Sequence, residues 1–271
     1  MHLPIINERL AKRIQQSEVD YFTSRISSIG ERSGNPEGVE IKRFNGSSCT
    51  AFYIKSMPWA LFNSIKGFAQ ADLGNIEEII TFYRDRERRF QLDIDPFVSS
   101  PQLLRQLAEN GLFQESFHSV LYGLPCRERP ALPDNIDIHE TENEADFDLY
   151  AEIHCVGAGM DIAHKHHFAN NNIGLLHRAG WKLFLAYWNG LPAAVSVMHI
   201  NDNIASFTLA ATAPQFRRNG LQTALCTGGC MKRTKQIVSS LSHRRTLEAQ
   251  VSTIWSGLGC RWPGRGLYGR H

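Results

Sequence analysis

FTLAATAPQFRRNGLQTAL, Phe207 to Leu225, is the stretch whose reading decides the fold. Its first part, Ser206 to Thr212, is rich in β-branched and small residues and predicts a buried strand. Pro214 cannot donate to a ladder and closes that strand. Arg217, Arg218, Asn219 and Gly220 follow, then apolar positions at helical spacing through Leu221, Ala224 and Leu225. A strand, a basic glycine-containing turn and a helix start make a cradle for a phosphate. Free backbone N–H groups and the positive end of the helix dipole converge there. Gly220 carries no side chain to hold a pyrophosphate off that backbone. The plain alternative is an ordinary strand-to-helix turn with a solvated arginine pair.

The run Arg217-Arg218-Asn219-Gly220-Leu221-Gln222 resembles the acyl-CoA signature of the GNAT N-acetyltransferase superfamily, Arg/Gln-x-x-Gly-x-Gly/Ala. It stands at the expected distance after a strand ending Ala210-Ala211-Thr212-Ala213-Pro214. Gln222 departs from the pattern, occupying a place where Gly or Ala is usual, and this predicts a tighter approach to the phosphates. The resemblance implies an α+β fold, a mixed and mostly antiparallel central sheet flanked by helices, in two GNAT-like units. It also implies acetyl-CoA as acyl donor. Pantetheine would pair with the backbone of Ala210, Ala211 and Thr212. The phosphate turn would supply Arg217, Arg218, Asn219, Gly220, Leu221, Gln222 and Thr223. A strand N–H near Leu209 or Ala210 would polarise the thioester carbonyl.

A chain of 271 residues accommodates one large domain or two ordinary ones. With 42% hydrophobic residues and a net charge of +2, it reads as a soluble globular protein with no electrostatic case for nucleic acid or membrane. No apolar run approaches the ~20 residues of a membrane span. The N-terminus lacks the basic-then-apolar layout of a signal peptide. The six cysteines (Cys49, Cys126, Cys155, Cys226, Cys230, Cys260) have no framework spacing, which predicts free thiols in a cytoplasmic protein.

Ahead of the deciding stretch, Ile14, Val19, Phe22, Ile26 and Ile29 predict an N-terminal helix or helix pair. Val39 to Phe44 and Thr50 to Ile54 read as a hairpin about Asn45-Gly46. Phe62 to Phe68 has no clear period. Helix Ile76–Tyr83, strand Arg89–Ile94, a helix from Pro101 ended by Gly111, and strand Phe117–Tyr122 follow. That order resembles the C-terminal half of a GNAT domain without its glycine-rich turn. Residues 1–124 are therefore expected to be a degenerate unit lacking its own cofactor, and 125–135 a Pro-rich linker. Residues 136–271 are the expected acetyl-CoA-binding domain. They hold strand Ile136–Glu140, helix Glu144–Val156, hairpin Trp181–Trp188 with Ala193–Ile200 across Asn189-Gly190, and the strand already described.

After Leu225 the character changes. Residues 226–271 hold seven glycines, six arginines and one acidic residue, Glu248, and Gly228-Gly229 interrupts the helix. The pattern does not draw a final strand, helix and strand here. A single missing nucleotide after the Leu225 codon accounts for the shift. Codons read from their third base are compatible with a GNAT-like continuation. The alternative is a genuine Gly- and Arg-rich tail.

The resemblance implies direct attack of a substrate amine on the thioester, with a base and an acid for the two proton transfers. Ser206 and Thr208 are poor bases, which leaves a water relay, Glu152, Asp161 or a histidine. Asp161, His164, His166 and His167 read as a solvated loop, as the wall of an acceptor pocket, or as a metal cluster. Trp181, Tyr187 and Trp188 read as sheet core or edge, and Arg84 to Arg89 as a solvated helix end. The expectation is N-acetyl transfer to a small-molecule or peptide amine with no metal, the oligomeric state left open between a monomer and a homodimer. The alternative is a non-catalytic acyl-CoA-binding or interaction module, or the product of a disrupted gene.

Overall fold

The computed structural model describes residues 5–124, 131–229, 236–240 and 252–261. Most of the expected linker (125–130) and much of the tail lie outside the described residues. The described residues form two compact units, one of Ile6–Ser119 with residues 255–261, the other within Val120–Ile254.

In the N-terminal unit, α1 (Glu8–Gly30) is one helix rather than a pair. Asn7 caps it by accepting from the Leu10 N–H at 2.9 Å. Its buried stripe (Ile14, Phe22, Ile26, Ile29) faces the core. β1 (Val39–Arg43) and β2 (Thr50–Ile54) form the expected antiparallel hairpin, with Gly46 at φ 70°. β3 (Ser64–Phe68) is a strand that the sequence pattern does not announce, antiparallel to β2 and parallel to β4 (Gln91–Ile94). Its period is broken at Lys66 and Gly67, where the register against β4 shifts. α2 (Ile76–Arg84) packs Tyr83 against Phe90, ring centroids 4.4 Å apart. The Tyr83 hydroxyl donates to the Phe52 and Ser64 carbonyls at 2.8 and 3.0 Å, fastening α2 to β2 and β3. α3 (Pro101–Glu109) starts at the Ser100 cap, and Gly111 follows it at φ 79°.

In the C-terminal unit the sheet runs from the end of β5 (Phe113–Gly123) through β10 (Gln236–Ser240), β9 (Ile204–Thr212), β8 (Leu191–Asn201) and β7 (Trp181–Trp188) to β6 (Ile136–Glu140). Only the β9–β10 pair is parallel among these described neighbours. α6 (Leu221–Gly229) packs Leu221, Ala224 and Leu225 on the face that carries Ala194. α4 (Glu144–Ala158) lies on the other face, that of Val195 and Ala211.

The tail carries strands that the sequence pattern does not draw. Residues beyond Leu225 supply two strands, β10 and β11 (Ser252–Arg261). β11 pairs antiparallel with β4 in the N-terminal unit, while Val120–Gly123 of β5 pairs with β10 in the other. α6 also continues through Gly228 and Gly229. Strand partners this far away in the chain leave no local pattern to read.

Candidate functional site

The site begins as an irregularity in β9. Against β8, Leu209 pairs with Val197 and Phe207 with Met198, so Thr208 is an extra residue on β9. A bulge of this kind bends its strand and frees backbone groups. The ladder to β10 runs from Ile204 to Phe207. Among the described residues, Thr208–Thr212 continue with β8 as their only strand partner. Ala210 is exposed, and Thr208, Leu209 and Thr212 are half-buried. Among the described residues this leaves an open strand edge able to accept an extended ligand as an added strand. The Thr208 Oγ1 is buried without a hydrogen-bond partner among the described residues.

Beyond Ala213 the chain makes a short 3-10 turn, Pro214–Phe216, then passes Arg218 at φ 68° and Gly220 at φ 74°. Left-handed backbone costs a non-glycine residue about 1–2 kcal/mol, so Arg218 is held there by its surroundings. The Asn219 side-chain amide donates to the Phe216 carbonyl at 3.2 Å and closes the turn. The Gly220 carbonyl accepts from the Ala224 N–H at 2.9 Å, the first bond of α6. The N–H groups of the next residues, Leu221, Gln222 and Thr223, have no intrahelical acceptor. A Cβ placed at Gly220 would meet nothing within 4 Å. These features fit a phosphate group: open space, orphan amides and a helix N-terminus.

The two long side chains of the turn do not point where the sequence suggests. The Arg217 guanidinium donates from Nη2 to the Gly157 carbonyl at 2.9 Å and from Nε to the Thr212 carbonyl at a longer 3.4 Å. Arg217 is exposed, and through these two bonds it also bridges α4 and β9. The Gln222 amide turns toward the sheet, donating to Thr212 Oγ1 at 2.9 Å, the Ala211 carbonyl at 3.0 Å and the Val195 carbonyl at 3.3 Å. The expected crowding of the phosphates by Gln222 therefore has no structural basis, since the side chain leaves the cradle.

Sequence reasoning missed Gly157. A Cβ there would lie 2.9 Å from the Thr212 nitrogen and 2.9 Å from the Ala211 Cβ. Only a glycine lets α4 approach the end of β9 this closely. The available signal was the Gly157-Ala158-Gly159 run at the helix end.

The proposed acid–base groups are engaged elsewhere. Glu152 and Asp148 pair with Lys165 Nζ at 3.1 and 2.6 Å. Hydrogen bonding to Asp148 raises the Lys165 pKa. Asp161 accepts from the Ala163 N–H at 2.9 Å and caps a 3-10 turn, Ile162–His164. α5 (Lys165–Asn170) follows, so the histidine segment is a structured turn and helix, not an open loop. His166 Nε2 lies 3.0 Å from Asn170 Nδ2, and His164 and His167 are exposed. Among the described residues no group of three or more His, Cys, Asp or Glu is arranged to hold a metal ion. Burial pushes the Cys226 thiol up to about 11, which keeps it protonated and unreactive at neutral pH. Among the described residues no helix is long and apolar enough to cross a membrane.

No protein-family model and no curated protein matches the sequence. Solved structures do. A GCN5-related N-acetyltransferase from Kribbella flavida superposes with a TM-score of 0.61 at 13% identity, over 89% of this chain and 95% of that one. A tandem GNAT protein from the clavulanic acid biosynthesis pathway gives 0.55 at 10% identity, over 82% and 80%. A GCN5-related N-acetyltransferase from Sphaerobacter thermophilus gives 0.52 at 13%, over 81% and 78%. Identities this low speak to fold alone. With the two sheet units and their flanking helices, they show that this chain has the α+β fold of the GNAT acyl-CoA N-acyltransferases.

Proposed function

We propose that the chain is an N-acetyltransferase that moves an acetyl group from acetyl-CoA directly to a primary amine of a small molecule or peptide. One observation carries the reading. The ladder of β9 to β10 is described up to Phe207, Thr208 bulges, and among the described residues Thr208–Thr212 have β8 as their only strand partner on the way into the turn whose Gly220 opens α6. Pantetheine lies along Ala210–Thr212, and the diphosphate takes the amides from Arg218 to Thr223. The amine nitrogen attacks the thioester carbonyl, the C–N bond forms and the C–S bond breaks. The developing oxyanion accepts from a β9 N–H near Leu209 or Ala210. The amine proton leaves through water, and the departing thiolate is protonated in turn. The enzyme acts in the cytoplasm. The unit of Val120–Ile254 carries the site, and the unit of Ile6–Ser119 is without acyl-CoA of its own.

Isothermal titration with acetyl-CoA, on the wild type and on Gly220→Glu, tests the site. The substitution puts a carboxylate into the cradle and a side chain at φ 74°. We expect at least about a tenfold loss of affinity from like-charge repulsion and lost amide contacts. Unchanged binding would remove the site assignment. Thiol release over an amine panel tests the chemistry. A second reading, a non-catalytic acyl-CoA binder, is favoured by the engagement of Glu152 and Asp161 away from β9. Binding without turnover on any amine would establish it over the first.

A further inference from the structure

We infer that Gln222 is the positioning residue that couples the pantetheine strand to the phosphate turn. The inference rests on the acyl-CoA reading above. Gln222 sits in the first turn of α6, among the residues whose amides face the diphosphate. Its side chain does not join them. It reaches Thr212 Oγ1 and the Ala211 carbonyl at 2.9 and 3.0 Å, with the Val195 carbonyl of β8 at 3.3 Å. Ala211 and Thr212 are the last residues of β9, the segment that pairs with pantetheine. One amide thus ties the first turn of α6 to the end of the strand. Arg217 holds the same end through the Thr212 carbonyl and anchors it to α4 at Gly157.

A ligand with two anchoring segments binds tightly when its two subsites stand at a fixed distance matching its span. Flexibility between them lowers the effective concentration of the second segment at its subsite. Loosening Gln222 leaves each subsite intact but frees one from the other. The signature is selective. A ligand spanning both subsites loses affinity, and a fragment occupying only one does not. An amide rather than a small residue at this position supplies that tie.

The test compares CoA with pantetheine, which lacks the diphosphate, on the wild type and on Gln222→Met. Methionine has a similar volume but no N–H donor. Loss of two hydrogen bonds is expected to raise the Kd for CoA about tenfold, while the Kd for pantetheine stays within about twofold. Thr212→Val removes the acceptor from the other side. It should weaken CoA binding by a similar factor, and the double variant should lose no more than the larger single loss. Should Gln222→Met not fold, Gln222→Leu, which also removes the donor, decides by the same CoA-to-pantetheine ratio. Equal weakening of both ligands, unchanged CoA binding, or additive losses in the double variant would overturn the inference. A wild type that binds no CoA defeats the acyl-CoA reading itself. A wild type that binds CoA beside unaffected variants defeats only the role of Gln222.

Discussion

β3 and β9 hold the same station in their two units. Each is antiparallel to the strand before it, parallel to the strand paired on its other side, and irregular at mid-length. The contents of the two stations are opposite. At the β3 irregularity Lys66, 5% exposed, reaches across to Asp93 at 2.6 Å and to Glu18 of α1 at 2.8 Å. In the turn that follows, the fully buried Asp72 accepts from the Ala69 and Ser48 amides at 2.8 and 3.0 Å and from the Ser47 hydroxyl at 2.6 Å. A carboxylate of the protein itself thus takes up the donors that converge at that turn. At β9 the irregularity holds the uncharged Thr208, the strand runs on through Ala210, Ala211 and Thr212, and the following turn offers arginines, a glycine and open space. Two stations of one architecture can thus be turned to stability or to ligand binding by a few charged residues.

The sharpest way to break this comparison is Lys66→Met. Removing the cation leaves two carboxylates facing each other in a mostly buried site. Losing one partner of such a set costs about 3 kcal/mol. Urea unfolding of the full chain should show it, with CoA affinity unchanged. A loss below about 1 kcal/mol would mean the triad does not hold the unit together. The pH dependence has a definite sign. Burial alone would lower the Lys66 pKa, but Asp93 and Glu18 override it and hold it well above the ordinary lysine range. A raised lysine contributes stability that is complete below its unfolded-state value and is lost only as pH rises through the folded one. The gap between wild type and variant should therefore be constant from about pH 6 to 9. A gap that narrows within that window contradicts the assignment.

Asp72→Ala comes next. It strands several donors at a buried turn, each worth about 1 kcal/mol net, and we expect about 2 kcal/mol of destabilisation. The comparison is sharpened by stoichiometry. The wild type and this variant should both titrate with one CoA per chain, and two per chain in the wild type would show that the N-terminal station is open. Gly157→Val acts at the other station. Its side chain would collide with the Thr212 backbone, and overpacking of this sort costs about 1–2 kcal/mol. Because the displaced element is the end of β9, CoA affinity should fall together with the melting temperature. A melting temperature that falls with affinity intact would detach Gly157 from the site.

These contrasts mark what could be read in the chain. The hairpin turns at Asn45-Gly46 and Asn189-Gly190 were legible because a positive φ is a local demand that names its residues. The turn from Arg217 to Gly220 was legible for the same reason, since amides, glycine and helix start are neighbours in sequence. β3 was not, because its buried lysine makes sense only with Glu18 and Asp93, partners distant in the chain. The direction of the Gln222 side chain was equally hidden. A motif tells which residue stands at a position, and packing against Thr212 decides where it points. The strands beyond Leu225 were hidden because β10 and β11 pair with β5 and β4, which lie far earlier in the chain.

The smallest expected effect is Glu152→Gln. The carboxylate was a candidate base by residue type, on the helix that carries Gly157. Its partner is the Lys165 ammonium, which also binds Asp148 at a shorter distance. Exposed ion pairs of this kind contribute about 0–1 kcal/mol, and Asp148 still holds the lysine when Glu152 is neutral. Stability should change by less than about 0.5 kcal/mol. If acetyl transfer relies on water for the amine proton, kcat should stay within about twofold, against the roughly 100-fold or greater loss that removing a general base produces. A large fall in kcat with an alkaline shift of the pH–rate profile would return Glu152 to the chemistry. It would also show that α4 contributes the base to the strand edge that it packs against through Gly157.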